Sequence, residues 1–296
     1  MSNLTLSEKW GTYMMTTIYD YCAANIAAIK IHNQNAFSWQ KYNQAPLTDI
    51  SHYKSCIAGI PPLIGRDDIL NAFRSAKYYK GFVMAMLWGN IGLQPLRDRG
   101  GDKTTTSAYR AFSISEAEVN NRIVKIKERI DNGDLSGAYG LLEKDLKFDG
   151  IDVSFFTKIL AFLSEGNSPS RDLLIYDKWT KLIHVHLLLD NGKDPQQFYS
   201  LNSIRKLYGK NNKGKLQTHL IYPLKGLEAA AYLSYVAEMK ILANSINNEL
   251  HSTITPFQLE GFLFGDSLKS NKEPSNPRYW VQQNFANHYL PDLLNL

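Results

Sequence analysis

The sequence predicts an all-α protein, and three observations carry that expectation. Most long segments place apolar residues at helical period, strand signals are sparse, and Gly, Pro and Asn cluster at intervals that cut the chain into helix lengths. Helices are expected over residues 8–30, 67–91, 115–132, 135–146, 153–165, 178–189, 196–208, 225–249 and 255–264.

The breakers set these bounds in order. Gly59-Ile60-Pro61-Pro62 precedes the 67–91 helix and Gly100-Gly101 follows it. Asn132-Gly133 parts 115–132 from 135–146, and Gly166 to Pro169 ends 153–165. Asn191-Gly192 closes 178–189, and Asn211 to Gly214 follows 196–208. The apolar run Leu173–Tyr176 is too short to be more than an extended lead-in to the next helix. No repeat or obvious linker interrupts the pattern, so one domain over 1–296 is expected, with two helical lobes around a central cleft as one arrangement.

At 44% hydrophobic and 12% aromatic residues, the chain can bury a sizeable core, which excludes a disordered protein. A net charge of +5 permits a nucleic-acid partner without requiring one. Two cysteines, Cys22 and Cys56, make neither a disulfide framework nor a zinc spacing, which points to a reducing compartment. The start MSNLTLSEKWGTYMM lacks a secretory pattern, and no stretch reaches the roughly 18 apolar residues of a spanning helix. A cytoplasmic protein with no membrane or obligate protein partner is the expectation.

Charge is uneven. From Pro195 to Leu227 there are six Lys or Arg and no acid, densest in RKLYGKNNKGK. Arg205, Lys210, Lys213 and Lys215 around this Gly/Asn-rich turn would suit a sequence-independent polyanion, although a solvated loop looks the same. Arg97 and Arg99, beside Gly100-Gly101, form a second candidate contact.

Several chemistries lack their signatures. His184 and His186, two apart on a helix, do not share a face and make a poor metal pair. GKNNKGKL approaches a phosphate-binding loop but has Leu216 where the magnesium-binding hydroxyl belongs. There is no HExxH, GxGxxG or GxSxG.

Two ionisable residues stand against apolar sequence. Lys158 lies in VSFFTKILAFLSE, where Phe155, Phe156, Ile159, Leu160, Phe162 and Leu163 form a wide apolar face and Ser154, Thr157, Lys158, Ala161 and Ser164 the remaining stripe. Such a lysine either extends its ammonium into water or lines a pocket, where desolvation can free the amine as a nucleophile. Asp177 ends the Leu173–Tyr176 run and precedes a helix, a position that suits an N-cap and equally a carboxylate at the mouth of a cleft.

Thr157-Lys158 on a helix, a loop containing Gly166 and Pro169, and Asp177 at the next helix start resemble the signature of helix-hairpin-helix DNA glycosylases. The interval is similar to that of the 8-oxoguanine DNA glycosylase branch. The motif covers about 135–180, with the hairpin turn in KFDGIDVS; Ser154 and Phe156 stand nearest the places of the usual glycine pair. GFVMAMLWGN upstream and TPFQLEGFLFG downstream resemble a bacterial branch that includes a bacteriophage-defence enzyme.

The resemblance implies base flipping from double-stranded DNA, with Lys158 as nucleophile, Asp177 as stabilising carboxylate, and no metal or redox cofactor. A beta-elimination lyase step can follow. The implied substrate is α-glucosylated hydroxymethylcytosine of phage DNA. Repair of 8-oxoguanine, or DNA binding without catalysis, is the alternative. Trp88, Phe155 and Trp179 are candidates to stack on a flipped base, with burial in the core the simpler role for each.

Overall fold

The computed structural model describes residues 17–31, 36–39, 47–92, 106–167, 172–206, 208–210, 216–218, 222–264 and 276–289. Among these the chain is built almost wholly of helices: α1 (Ile18–Ala24), α2 (Ile26–Ile31), α3 (Ser51–Ile57), α4 (Arg66–Arg74), α5 (Tyr78–Trp88), α6 (Ser107–Phe112) and α7 (Glu116–Asp131) in the first half. The second half carries α8 (Leu135–Glu143), α9 (Val153–Asn167), α10 (Lys178–Asp190), α11 (Leu201–Lys206), α12 (Glu228–Leu250), α13 (Pro256–Phe264) and α14 (Pro277–His288). Two small antiparallel ribbons complete the described chain, β1 (Phe37–Ser38) with β2 (Leu63–Ile64) and β3 (Tyr208–Lys210) with β4 (Leu216–Thr218).

Local sequence explains the helices. In α7, Val119, Ile123, Ile126 and Ile130 recur at helical spacing and all are buried, while Ser115 caps the first turn through Glu118 N. Helix α5 is apolar all round, YYKGFVMAMLW, and correspondingly buries Tyr79 and every residue from Gly81 to Leu87. Gly150 turns the chain between α8 and α9 at φ 77°, and a Cβ there would stand 2.4 Å from Ser107 O, so only glycine fits.

The helices pack in two groups. One gathers α4, α5, α7 and α8 around α9, with α3 packed on α5; the other gathers α1, α2, α10, α13 and α14 around or beside α12. The packing of α8 on α12 joins them, and a single apolar core runs through both. No helix among the described residues is long and apolar enough to cross a membrane.

Several expected bounds need correction. The helix expected over 67–91 is two, because Ala76 takes a left-handed φ of 55° between α4 and α5 with no Gly or Pro to announce the break. The described part of 8–30 begins at Thr17, which caps α1, and breaks at Asn25. The helix expected over 196–208 is a short 3-10 turn at Pro195–Gln197, then α11, then the strand β3, which carries Lys210. Helices α3, α6 and α14 were not expected.

Candidate active site

The Leu173–Tyr176 run is extended and buried throughout, and α9 holds it at two points. Leu173 N donates to Ser164 Oγ at 2.9 Å and Tyr176 N donates to Thr157 Oγ1 at 2.9 Å. Seven helical residues rise about 10.5 Å at ~1.5 Å each, and three extended residues span about 10 Å, so the two hydroxyls match the strand's reach. The run therefore lies antiparallel along α9. Its end is anchored as well: the Tyr176 hydroxyl meets that of Tyr199, and Tyr199 Oη lies 2.8 Å from His184 Nδ1. The register places Asp177 beside the turn of α9 that carries Lys158.

Lys158 is buried, only 5% exposed, so the reading in which its ammonium reaches water does not hold. The stripe assigned to small polar residues is interior too: Thr157, Ala161 and Ser164 are all buried. The ammonium donates to Ser154 O at 2.6 Å and stands 5.0 Å from the centre of the Phe155 ring. Burial pushes the Lys158 pKa below its usual range, the charges of Asp177, Asp152 and Glu260 oppose that, and Arg66 reinforces it. The result is a lysine that gives up its proton more easily than a solvated one.

Asp177 is half-buried and caps α10, its Oδ1 accepting from Trp179 N at 2.8 Å and Thr180 N at 3.2 Å. Thr180 Oγ1 accepts in return from Asp177 N at 2.7 Å, which completes a capping box. While it caps the helix, the carboxylate's charge also acts on Lys158 and Lys181 together.

Four groups make one cluster at the converging N-termini of α9 and α10. Asp152 caps α9 through Ser154 N at 3.0 Å and Ser154 Oγ at 2.8 Å, and its charge, like that of Asp177, acts on both lysines. Lys181, one turn after Asp177, is buried and lies 5.3 Å from the rings of Tyr176 and of the exposed Tyr222. Burial lowers its pKa, against the pull of the same two carboxylates. Lys181 and Asp152 were not expected at the site, since a lysine four residues into a helix and an acid before one read as ordinary helix-start residues.

A buried ion pair adjoins the cluster: Arg66 Nη2 donates to Glu260 Oε2 at 2.7 Å. Burial pushes the Glu260 carboxyl up and Arg66 draws it back down.

The other expected residues divide. Trp88, Phe155 and Trp179 are each half-buried, so none is plain core. Phe155 touches the Lys158 amine, Trp88 packs edge-on against Phe162 at 5.6 Å, and Trp179 receives the Arg278 guanidinium at 4.8 Å. Arg97, Arg99, Lys213 and Lys215 lie outside the described residues; Arg205 falls in α11 and Lys210 in β3. His184 and His186 face different neighbours, His184 the Tyr199 hydroxyl and Ser234 Oγ, His186 the rings of Trp280 and Tyr289. Burial pushes each of them down to about 3, so both stay neutral.

Residues 33–264, well over half the chain, match the family described as "Putative 8-oxoguanine DNA glycosylase OGG-like protein". The chain belongs to this family. Its helical architecture is that of the OGG-like glycosylases, and membership makes DNA glycosylase activity the functional class to test. Neither the curated proteins nor the solved structures contain a match.

Two substitutions probe how this OGG-like site is positioned. A Cβ on Gly89, at the C-cap of α5, would stand 2.9 Å from Lys158 Cε and 3.0 Å from Phe155 Cε1. The lysine end is flexible, so Gly89→Ala should leave the fold intact and displace the amine. An ångström of misplacement can lower a rate by about 10²-fold; single-turnover base release should fall by that order while the melting temperature barely moves. Thr157→Val keeps the shape but leaves the buried Tyr176 N–H without its acceptor. Denaturant titration should show a loss of about 1–3 kcal/mol.

Proposed function

We propose that the protein is a DNA glycosylase in which Lys158 is the nucleophile and Asp177 the stabilising carboxylate, and that its substrate is α-glucosylated hydroxymethylcytosine in bacteriophage DNA. The observation that carries the catalytic assignment is the burial of Lys158 in a cluster where the Asp177 carboxylate faces it. An amine is nucleophilic only when neutral, and burial moves Lys158 in that direction.

The flipped nucleotide presents C1′ to the cluster. As the bond from C1′ to the base breaks, positive charge grows on the sugar and the Asp177 carboxylate stabilises it. The neutral Lys158 nitrogen forms the new bond to C1′, the departing base takes up a proton, and opening of the sugar ring yields an imine. Elimination from that imine is the route to strand cleavage. Lys158 must be neutral to attack, so the rate rises with pH through its lowered pKa and the lowering extends activity toward neutral pH.

The substrate rests on the resemblance to the phage-defence branch. The two phrases that carry it belong to elements that bear on Lys158: GFVMAMLWGN spans most of α5 and Gly89, where a Cβ would meet the Lys158 stem, and TPFQLEGFLFG spans α13 and Glu260, whose charge acts on the amine. A second reading, removal of 8-oxoguanine, is favoured by the description of the family itself.

A release assay on matched duplexes decides between them. The proposal predicts abasic sites in DNA bearing glucosylated hydroxymethylcytosine and none in DNA with plain cytosine. Release of 8-oxoguanine with no action on the glucosylated DNA would instead establish the second reading. Lys210, Lys213 and Lys215 are proposed to contact phosphate, so neutralising all three should weaken binding to every sequence and flatten the salt slope by about 0.9 per lost contact. An unchanged slope in a binding titration would remove them from the interface.

A further inference from the structure

Arg66 and Glu260 form a fully interior ion pair that the reaction described above does not use. Glu260 has no exposed surface and the Arg66 side chain is only 9% exposed. The guanidinium is caged by aromatic rings, 3.8 Å from the centre of Phe257, 5.8 Å from Phe162 and 5.9 Å from Trp88. Yet the pair is incompletely hydrogen-bonded: Arg66 Nε and Glu260 Oε1 are buried without a partner. Stability does not explain such an arrangement, because an incompletely bonded buried pair is commonly no better than well-packed apolar residues.

Its position is more informative. Phe162 lies one turn from Lys158 on α9, and Trp88 immediately precedes Gly89, where a Cβ would stand 2.9 Å from Lys158 Cε. The guanidinium thus meets α9 one turn from Lys158 and meets α5 at the residue next to Gly89. Glu260 reaches it from α13, in the other group of helices. Four charges act on the Lys158 amine: Asp177 from the cap of α10, Asp152 from the lead-in to α9, Glu260 from α13 and Arg66 from α4. Two of the four are this pair.

We propose that the Arg66–Glu260 pair is a positioning couple for Lys158, spanning the two helix groups and holding opposite charges at fixed places beside the amine. The inference rests on Lys158 as the nucleophile. Glu260 favours the ammonium and Arg66 disfavours it, with Glu260 the stronger of the two. Together they add to burial and to the larger effects of Asp177 and Asp152 in setting how much neutral amine is present at a given pH.

The test uses the full chain and two readouts. One is the ¹⁵N signal of the Lys158 amine, identified by its loss in Lys158→Ala and followed through pH without DNA. The other is the pH profile of borohydride trapping on abasic-site DNA. Glu260→Gln leaves the Arg66 cation unbalanced, so both midpoints should move acid by about one unit, a roughly tenfold gain in neutral amine below the midpoint. Glu260→Asp, which keeps the charge, should hold the wild-type midpoint. Arg66→Met/Glu260→Met removes both charges, is expected to fold even if Glu260→Gln does not, and should shift acid by less.

A purely structural pair predicts something different: a lower rate at every pH with an unmoved midpoint. That result in either the single or the double variant overturns the proposal. If the wild type traps no DNA at all, the nucleophile assignment fails, while the nitrogen titration still reports whether the pair acts on the amine.

Discussion

Lys158→Ala is expected to abolish borohydride trapping on abasic-site DNA and to lower single-turnover base release by at least 10²–10⁴-fold, the order lost when a directly reacting group is removed. Activity and stability should part in Lys158→Met, which fills the space with an apolar chain and removes the need to desolvate an amine. The pH dependence of stability gives an independent check. In the unfolded chain the lysine titrates near 10.5, and burial lowers that value in the folded protein. Between the two values the unfolded state binds the extra proton, so wild-type stability rises with pH up to about 10.5 and falls as pH drops through the lowered value. Denaturant titration across alkaline pH should show that rise in the wild type and a smaller one in Lys158→Met, where the lowered pKa of Lys181 still contributes. A trapping yield unchanged in Lys158→Ala would remove the residue from the chemistry.

Asp177→Asn should separate the cap from the proposed catalytic role of the residue at the mouth of α10. Asn caps a helix about as well as Asp, so the bonds from Trp179 N and Thr180 N persist and stability should change by only a few tenths of a kcal/mol. The charge is lost, however, and with it the stabilisation of the sugar cation, a loss of about 10²–10³-fold in base release. The substitution also removes a charge that holds the proton on Lys158, which by itself would increase the neutral amine. A fall in rate therefore cannot come from protonation of the nucleophile. Asp177→Ala should add the cap loss, about 1 kcal/mol of stability. Full activity in a folded Asp177→Asn protein would reduce the carboxylate to a cap.

The two residues proposed as the catalytic pair stand out in the sequence for a physical reason. An ionisable residue inside an apolar run must either be solvated locally or do something, and Lys158 and Asp177 both stand out on that ground. Glu260 in FQLEGFLF carries the same signature and ends up fully buried beside them. Lys181 is different: in KWTKLIH it reads as a solvated helix lysine, and only the packing of Tyr176 and Tyr222 around it makes it part of the site.

The fold shows the same division. Helix α7 follows from the spacing of its isoleucines; α14 was not expected, although Asn276-Pro277, an N-cap followed by proline at the first turn, stands at its start. The break between α4 and α5 has no such mark. It falls at Ala76, where a left-handed turn is stabilised by Lys77 N donating to Ala72 O at 2.9 Å and by the packing of the two helices on each other. Contacts of that kind are made by the tertiary structure and leave no trace in periodicity.

Peptide mapping of the trapped complex tests the account most directly. Wild-type protein is reduced with borohydride on abasic-site duplex, digested, and the sugar adduct located by mass spectrometry. The account predicts the adduct on the Lys158 amine. An adduct on Lys181, the other buried lysine of the cluster, or the absence of any adduct from an enzyme that releases bases, would contradict it.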